Sequence, residues 1–241
     1  MAQTCPLCRA DLPEGLDGLF DLAYRAYCRV LGMVDRGEAS WVSLAAAERE
    51  EMEEVVAMLT EAAAQGHMMA QVYLGAIYDF GEGVAQDDGR AFELYRQAAQ
   101  QGHAISQYNL GRMYRDGRGC EQSHERAAEW WAKAAEQGHA EAQHNLGIAY
   151  QNGLGVPQSH ERALELWKLS EAQGNAKATT NLAGSYANGW GVDQSYAEAR
   201  RLYELAVARG EARYAPNNLQ ALNDGIQQVF PLLGQRVVLD G

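Results

Sequence analysis

The sequence predicts an all-α fold, a right-handed α-solenoid of repeated helix-turn-helix units. Three observations predict it. Five glycines recur every 36 residues, at Gly66, Gly102, Gly138, Gly174 and Gly210. Each interval contains two segments whose apolar residues have helical spacing, and a glycine-rich loop separates the two segments. A unit that recurs at this period buries its apolar surface by stacking on its neighbours, so the fold comes from stacked copies of one helix pair.

The first helix of each copy is predicted to follow the repeated glycine. In one copy Ala142, Leu146 and Tyr150 are spaced four residues apart, which places them on one helical face. Leucine and tyrosine recur at the same two positions in the other copies, as Leu74 and Tyr78, Leu110 and Tyr114, and Leu182 and Tyr186. A glycine or alanine follows each leucine, which lets a neighbouring helix approach closely.

Two glycines punctuate the loop of every copy, in a Gly-x-Gly pattern that ends on an apolar residue. The pairs are Gly81 and Gly83, Gly117 and Gly119, Gly153 and Gly155, and Gly189 and Gly191. Paired glycines at a fixed spacing indicate a backbone with positive φ, which only glycine adopts at low cost. The apolar residue after each pair is predicted to enter the core. Cys120 occupies that position once, and we interpret it as a small buried hydrophobic residue.

The second helix is predicted over residues 87–101, 123–137, 159–173 and 195–209. Ser123, Ser159 and Ser195 stand at its start, where serine is a favourable N-cap. The spacing of Ala127, Trp131 and Ala134 defines the buried stripe of one copy. The next repeated glycine is predicted to end the helix as a left-handed C′ residue.

Together, the Leu-Gly pair, the Gly-x-Gly-Val loop, the Ala-x-x-x-Trp/Tyr helix and the 36-residue period resemble Sel1-like repeats. Ankyrin repeats have about 33 residues and a Thr-Pro-Leu-His signature that is absent here, and tetratricopeptide repeats have about 34. The resemblance covers residues 45–215, with full repeats at 66–101, 102–137, 138–173 and 174–209. It implies a protein-protein interaction scaffold whose first helices line the concave surface.

Both ends depart from the repeat. Residues 13–44 are predicted to form a diverged helical N-cap region, and residues 45–65 read as a lone second helix. Residues 216–241 are predicted to contain a C-terminal cap helix and then an orphan β-strand over 235–241, the start of a further β-module. Atypical terminal repeats are expected to cap a stack.

Composition excludes several functions. The formal net charge of −12 has the wrong sign for a nucleic-acid binder or for an anionic membrane surface. No apolar run reaches the roughly 18 residues of a membrane span, and no secretory signal is visible. The four cysteines do not form a dense disulfide framework, so we expect a reducing, cytoplasmic location.

Enzyme motifs are missing from the sequence: no Ser/His/Asp motif, Walker loop, dinucleotide fingerprint or His-Glu-x-x-His is present. His67, His103 and His139 form a column, and His124 and His160 form another. Equivalent residues of successive repeats lie roughly 10 Å or more apart, because packed helices are about 8–10 Å apart. They cannot share a metal ion, and we interpret the first column as polar residues at helix starts. No cofactor is expected for the repeat array.

The partner groove is predicted at first-helix positions that differ between copies. These residues are Val72, Tyr108, Arg112, His144, Ile148 and Thr180. His144 in particular is predicted to be available to a partner. Asn109, Asn145 and Asn181 form a further column that either satisfies backbone groups between helices or binds a peptide backbone, and we favour the structural role.

The first ten residues contain a second resemblance. The string Cys5-Pro6-Leu7-Cys8-Arg9 resembles the last ligand pair of a RING-type zinc finger, so residues 1–12 read as the remnant of one. The resemblance implies that Cys5 and Cys8 are zinc ligands, that Pro6 helps dock a ubiquitin-conjugating enzyme, and that Arg9 steadies its bound ubiquitin. A structural zinc site needs four ligands, so this chain alone is not expected to form the site.

The predicted function is therefore a non-catalytic scaffold that binds protein partners. The alternative is the substrate-recruiting part of a RING-type ubiquitin ligase, whose zinc is bound in a full-length parent.

Overall fold

The computed structural model describes residues 15–223, which form eleven helices and no strand within that range. The helices are α1 Leu16–Asp35, α2 Ala46–Ala64, α3 Met68–Phe80, α4 Asp88–Gln100, α5 Ala104–Asp116, α6 His124–Glu136, α7 Ala140–Asn152, α8 His160–Ala172, α9 Ala176–Asn188, α10 Tyr196–Ala208 and α11 Ala215–Asn223. The predicted all-α architecture of helix pairs is thus confirmed. Residues 1–12 and the predicted strand at 235–241 lie outside the described residues. Helix α11 lies where the C-terminal cap helix was predicted.

The described chain divides into two compact units. The first contains residues 15–113 and 117–121, and the second contains residues 114–116 and 122–223. In the first unit, α1 packs on α2, α2 on α3 and α3 on α4. Its core is centred on Val30, Met52, Val55, Leu59 and Ile77, all at most 1% exposed.

The second unit continues the same pattern. Here α6 packs on α7, α7 on α8, α8 on α9, α9 on α10, and α10 on α11. Trp167 and Tyr203 from the second helices fill its core together with Leu182, Ala183 and Leu202. A Cβ on Gly147, which follows Leu146, would overlap Nε1 of Trp167, so the small residue after the leucine does let the aromatic residue of the second helix approach closely.

The repeated glycine ends each second helix as predicted. Gly66 has φ 88°, its N–H donates to the carbonyl of Ala63 at 3.0 Å, and the N–H of His67 donates to the carbonyl of Ala62 at 3.1 Å. These two hydrogen bonds form a Schellman motif with glycine at C′. A Cβ on Gly66 would meet nothing within 4 Å, so the backbone angle alone requires glycine here.

The second loop glycine meets a different requirement. Gly191 has φ 69°, and a Cβ on it would lie 2.7 Å from the carbonyl carbon and oxygen of His160, at the start of α8. Gly119 and Gly155 approach the starts of α4 and α6 in the same way. The loop of one repeat therefore packs backbone against backbone on the second helix of the preceding repeat, which sets the spacing between them.

Side-chain caps begin the helices of every repeat. Asp87, Ser123, Ser159 and Ser195 each accept a hydrogen bond from the backbone N–H three residues later, which confirms the predicted serine caps. The apolar residue after the loop glycines is less buried than predicted. Cys120 is half-buried and its thiol lies 3.6 Å from the Met113 carbonyl, because this position lies at the edge of the core.

In three repeats, an arginine of the second helix packs over a tyrosine ring of the first helix. The Arg90, Arg126 and Arg162 guanidinium groups lie 5.2, 5.5 and 5.3 Å from the ring centroids of Tyr78, Tyr114 and Tyr150. Cation-π contacts of this kind stabilise exposed sites by about 0.5–1 kcal/mol. The last repeat has Glu198 at the arginine position, where it pairs with Arg201 instead.

Candidate protein-binding face

The six predicted groove residues differ in burial between the two units. Val72, Tyr108 and Arg112 are half-buried in the first unit. His144, Ile148 and Thr180 are buried in the second unit, with 8%, 6% and 4% of their surface exposed. The buried three offer a partner little surface. Contact of any of the six with a partner stays a prediction.

Arg112 is held above a neighbouring aromatic ring. Its guanidinium carbon lies 6.0 Å from the ring centroid of Tyr108, one turn earlier on α5. The ring limits the freedom of the arginine side chain, so a partner that pairs with this cation would find it partly pre-arranged.

His144 is part of a buried hydrogen-bond network and does not face outward, because neighbouring helices cover it. Its Nδ1 lies 3.2 Å from Asn145 Oδ1 and its Nε2 lies 3.0 Å from Asn181 Nδ2. An amide NH₂ only donates, so Nε2 accepts and Nδ1 carries the proton. Burial and, to a smaller extent, the charge of Lys177 lower the pKa of His144 to about 4, and the Asn145 hydrogen bond opposes the shift. The imidazole is therefore neutral at neutral pH.

This network also explains two members of the asparagine column. Asn145 and Asn181 are buried, and the contacts above direct their amides at His144. The role of these two amides is structural, but their partner is the His144 side chain and not the backbone groups that were expected from the sequence. Peptide-backbone binding would require both amides to leave a buried partner, which costs about 1–3 kcal/mol for each group left unsatisfied.

A glutamine column forms a second structural element, which was not predicted from the sequence. Gln71 Nε2 donates to the Ala63 carbonyl at 3.1 Å, and Gln101 Nε2 donates to Gln71 Oε1 at 2.8 Å. Gln143 makes the equivalent bond to the carbonyl of Ala135, at 3.2 Å. These amides satisfy carbonyls at the end of the preceding helix, which have no partner within that helix. Glutamine recurs three residues before the repeated leucine, as Gln71, Gln107 and Gln143, and this recurrence was the signal available in the sequence.

The histidine column caps the first helices, in agreement with the interpretation as helix-start residues. The imidazoles of His67, His103 and His139 each accept from the N–H three residues later, and Asn175 does so in the last repeat. An accepting Nδ1 must be unprotonated, and burial lowers the pKa of His139, which favours that form. Within residues 15–223, no group of three or more His, Cys, Asp or Glu side chains could hold a metal ion. The Cys5 and Cys8 pair lies outside that range.

A buried carboxylate in the first unit is neutralised by one arginine. Asp79 is 2% exposed in its side chain, and its Oδ1 lies 2.7 Å from Arg118 Nη2. The same Arg118 nitrogen lies 2.5 Å from Asp88 Oδ1, and this hydrogen bond lowers the pKa of Asp88. The three charges connect α3, α4 and the loop after α5, so the arrangement is structural.

An exposed aromatic patch, made of Phe20, Tyr24 and Tyr73, lies on α1 and α3. The ring centroids of Phe20 and Tyr24 are 5.7 Å apart, those of Phe20 and Tyr73 are 5.8 Å apart, and those of Tyr24 and Tyr73 are 4.9 Å apart. Tyr24 is 37% exposed, and the other two rings are half-buried. Hydrogen bonding to Tyr73 and Cys28 raises the pKa of Tyr24, so its phenol is neutral.

The patch rests on a buried support. Tyr27 is 6% exposed, its ring centroid lies 6.0 Å from that of Tyr73, and its hydroxyl donates to Glu82 Oε2 at 2.5 Å. Burial raises the pKa of Glu82, and the bond to Tyr27 opposes that shift. The spacing of Phe20, Tyr24 and Tyr27 on one helical face was a signal for this patch in the sequence. The role of Tyr73 depends on how α1 meets α3.

The sequence model of the Sel1 repeat matches four consecutive segments, residues 69–103, 104–139, 140–175 and 176–211, which together span more than half of the chain. The chain belongs to the Sel1 repeat family. The four matched segments correspond to the helix pairs α3–α4, α5–α6, α7–α8 and α9–α10. No curated protein sequence matches the chain. No helix among residues 15–223 has the length and apolar character needed to cross a membrane.

Two solved structures are similar to this Sel1 repeat protein. A Sel1 repeat protein from Oxalobacter formigenes is 25% identical with a TM-score of 0.71, over 90% of this chain and 80% of that one. The protein c5321, a protective antigen of uropathogenic Escherichia coli with an SLR fold, is 28% identical with a TM-score of 0.72. That match covers 88% of this chain and 42% of the E. coli protein, so this chain spans less than half the length of that protein.

Proposed function

We propose that this Sel1 repeat protein is a non-catalytic scaffold that binds a protein partner on its first-helix face. We define that face by the exposed and half-buried side chains of α1, α3 and α5. Sel1 repeats generally mediate protein-protein interactions, which supports the proposal. The observation that carries it is the aromatic patch, because exposed tyrosine and phenylalanine side chains are enriched where proteins meet.

The chemistry of the polar residues agrees with this proposal. The capping histidines, the His144 network and the Asp79–Arg118 pair all have structural partners within the fold. None of these groups is arranged as a nucleophile beside a general base. This leaves the first-helix face as the surface that we propose for recognition. The cysteine usage favours a reducing, cytoplasmic setting.

Site-specific photocrosslinking tests the proposal. A photoreactive phenylalanine analogue is placed at Val72, Tyr108 or Arg112, and matched controls carry it at the exposed second-helix residues Glu129 and Glu165. We expect the first-helix positions to form defined protein adducts in lysate of the native host, and the controls to form none. Adducts of equal yield at the control positions would contradict the proposal.

For a longer parent protein, a second proposal is the ubiquitin-ligase role, in which the repeats recruit a substrate. The string from Cys5 to Arg9 supports it, with Cys5 and Cys8 as two of four zinc ligands. The test is to read the coding sequence upstream of Met1 for the remaining Cys/His ligands at RING spacing. Their absence would remove the proposal. Tight stoichiometric zinc binding by Cys5 and Cys8 in this chain alone would contradict the expectation that the site needs ligands from outside this chain.

A further inference from the structure

The aromatic patch is bordered by carboxylates on α1. Asp17 and Asp21 are exposed, and helical spacing places them on the same side of α1 as Tyr24. The side chain of Asp17 is 99% exposed, and its Oδ1 lies 3.2 Å from Nε2 of His67, the residue whose ring stacks on Phe20 at 4.7 Å. Acidic groups and exposed ring faces therefore occur together at this end of the first unit.

Few basic side chains accompany these carboxylates on the same two helices. The sequence of α3 contains no lysine or arginine. On α1, Arg29 donates to Glu51 Oε1 at 2.9 Å, and Arg25 lies about 80° around the helix axis from Asp17. Arg25 lies one turn after Asp21, about 40° around the axis, so this side of α1 has two carboxylates and one unshared cation, and the charge beside the rings remains negative.

Charge and ring chemistry together select one class of ligand. A guanidinium or ammonium group is attracted to the face of a tyrosine or phenylalanine ring, and it also pairs with a carboxylate. An acidic ligand would be repelled by Asp17 and Asp21, and a purely apolar one would desolvate them without compensation. The net charge of −12 argues against a nucleic acid at any face.

We propose that the aromatic patch, with Asp17 and Asp21, is the docking site for a basic segment of the partner protein, one that carries arginine or lysine. This inference rests on the proposed scaffold function and names the chemistry of the partner. An arginine side chain stacks on the exposed ring of Tyr24 and pairs with Asp21. A second cation in the segment pairs with Asp17.

Peptide binding by the full chain tests this inference. Fluorescence anisotropy measures the affinity for a labelled Arg-rich hexapeptide, for the same peptide with citrulline in place of arginine, and for a Glu-rich hexapeptide. Citrulline keeps the shape of arginine and removes its charge. We expect the arginine peptide to bind at least about tenfold more tightly than the citrulline peptide, since both the ion pairs and the cation-π contact are lost.

Two variants locate the site. The double variant Asp17→Asn/Asp21→Asn is expected to weaken binding of the arginine peptide about fivefold, and Tyr24→Leu about threefold. The control Asp193→Asn/Glu204→Gln removes the same two charges from exposed positions of the second unit and is expected to leave the affinity unchanged. All changed side chains are exposed, and circular dichroism with a thermal melt verifies that each variant remains folded.

Three results would overturn the inference: equal binding of arginine and citrulline peptides, equal weakening by the control variant, or full competition by spermine at the same charge concentration. The photocrosslinking at Val72, Tyr108 and Arg112 is independent of peptide charge. Defined adducts there without binding of the basic peptide would preserve the scaffold function and refute only the basic docking site.

Discussion

The two glycines of one repeat allow a sharp test of how neighbouring repeats pack. Gly191, in the loop after α9, and Gly174, at the end of α8, both have positive φ, at 69° and 88°. A Cβ on Gly174 meets nothing within 4 Å, whereas a Cβ on Gly191 would lie 2.7 Å from the carbonyl carbon of His160. Alanine at the two positions therefore separates backbone strain from steric overlap.

The expected magnitudes follow from these distances. A left-handed alanine costs about 1–2 kcal/mol, so Gly174→Ala should lower the free energy of unfolding by that amount. Ordinary contacts of a Cβ begin at 3.4 Å, so Gly191→Ala overlaps rigid backbone that cannot rotate away. Relief requires the two repeats to separate, which adds about 1–3 kcal/mol. We expect Gly191→Ala to lose about 2–5 kcal/mol in total.

Urea unfolding followed by circular dichroism at the helix band measures both variants. The comparison holds if the dependence on urea concentration is unchanged, because a change would mean a different unfolding transition. Amide hydrogen exchange of α8 and α9 should show the larger loss of protection in Gly191→Ala. Equal losses in the two variants would refute the reasoning that this glycine sets the repeat spacing.

Three further predictions concern a buried histidine, a helix cap and a cation-π contact. His144 has a pKa of about 4 in the folded state, below its unfolded value near 6.5, so its contribution to stability is complete above pH 6.5 and falls by about 3 kcal/mol as the pH drops to 4. In urea unfolding, His144→Gln should therefore lose less stability than the unchanged protein between pH 6.5 and pH 4. An unchanged pH profile in the variant would contradict the burial argument. Ser159→Ala removes the cap on α8 and should cost about 1 kcal/mol in the same assay, while Ser159→Asp should restore it. Arg162→Met keeps the aliphatic stem but removes the cation over Tyr150 and should cost about 0.5–1 kcal/mol, whereas Arg200→Met, at an exposed position without a ring contact in the described structure, should cost less.

Local features of the chain were predictable because they depend on a few neighbouring residues. The C′ glycines such as Gly66, the serine caps such as Ser159 and the helical face of Ala142, Leu146 and Tyr150 all follow from helix geometry and hydrogen-bonding capacity. The place of the histidine column at helix starts was predictable for the same reason. His67 and its equivalents satisfy N–H groups three residues away.

Contacts between helices were less predictable. His144 was expected to be available to a partner, yet it is buried between Asn145 and Asn181, which lie 1 and 37 residues away in the chain. Cys120 was expected in the core and is half-buried. Both outcomes depend on how deeply one helix sits against the next, which a periodic pattern does not specify.

The sequence by itself determined the helix pair, its 36-residue period, the residues that cap each helix and the membership of the Sel1 repeat family, because each is encoded in spacing along one chain. Only the tertiary structure decided that α1 brings Phe20 and Tyr24 against Tyr73, and that Asp17 borders them. α1 lies outside the repeat register, so no periodicity relates it to α3. The packing of side chains across the helices is what placed rings and carboxylates on one exposed surface.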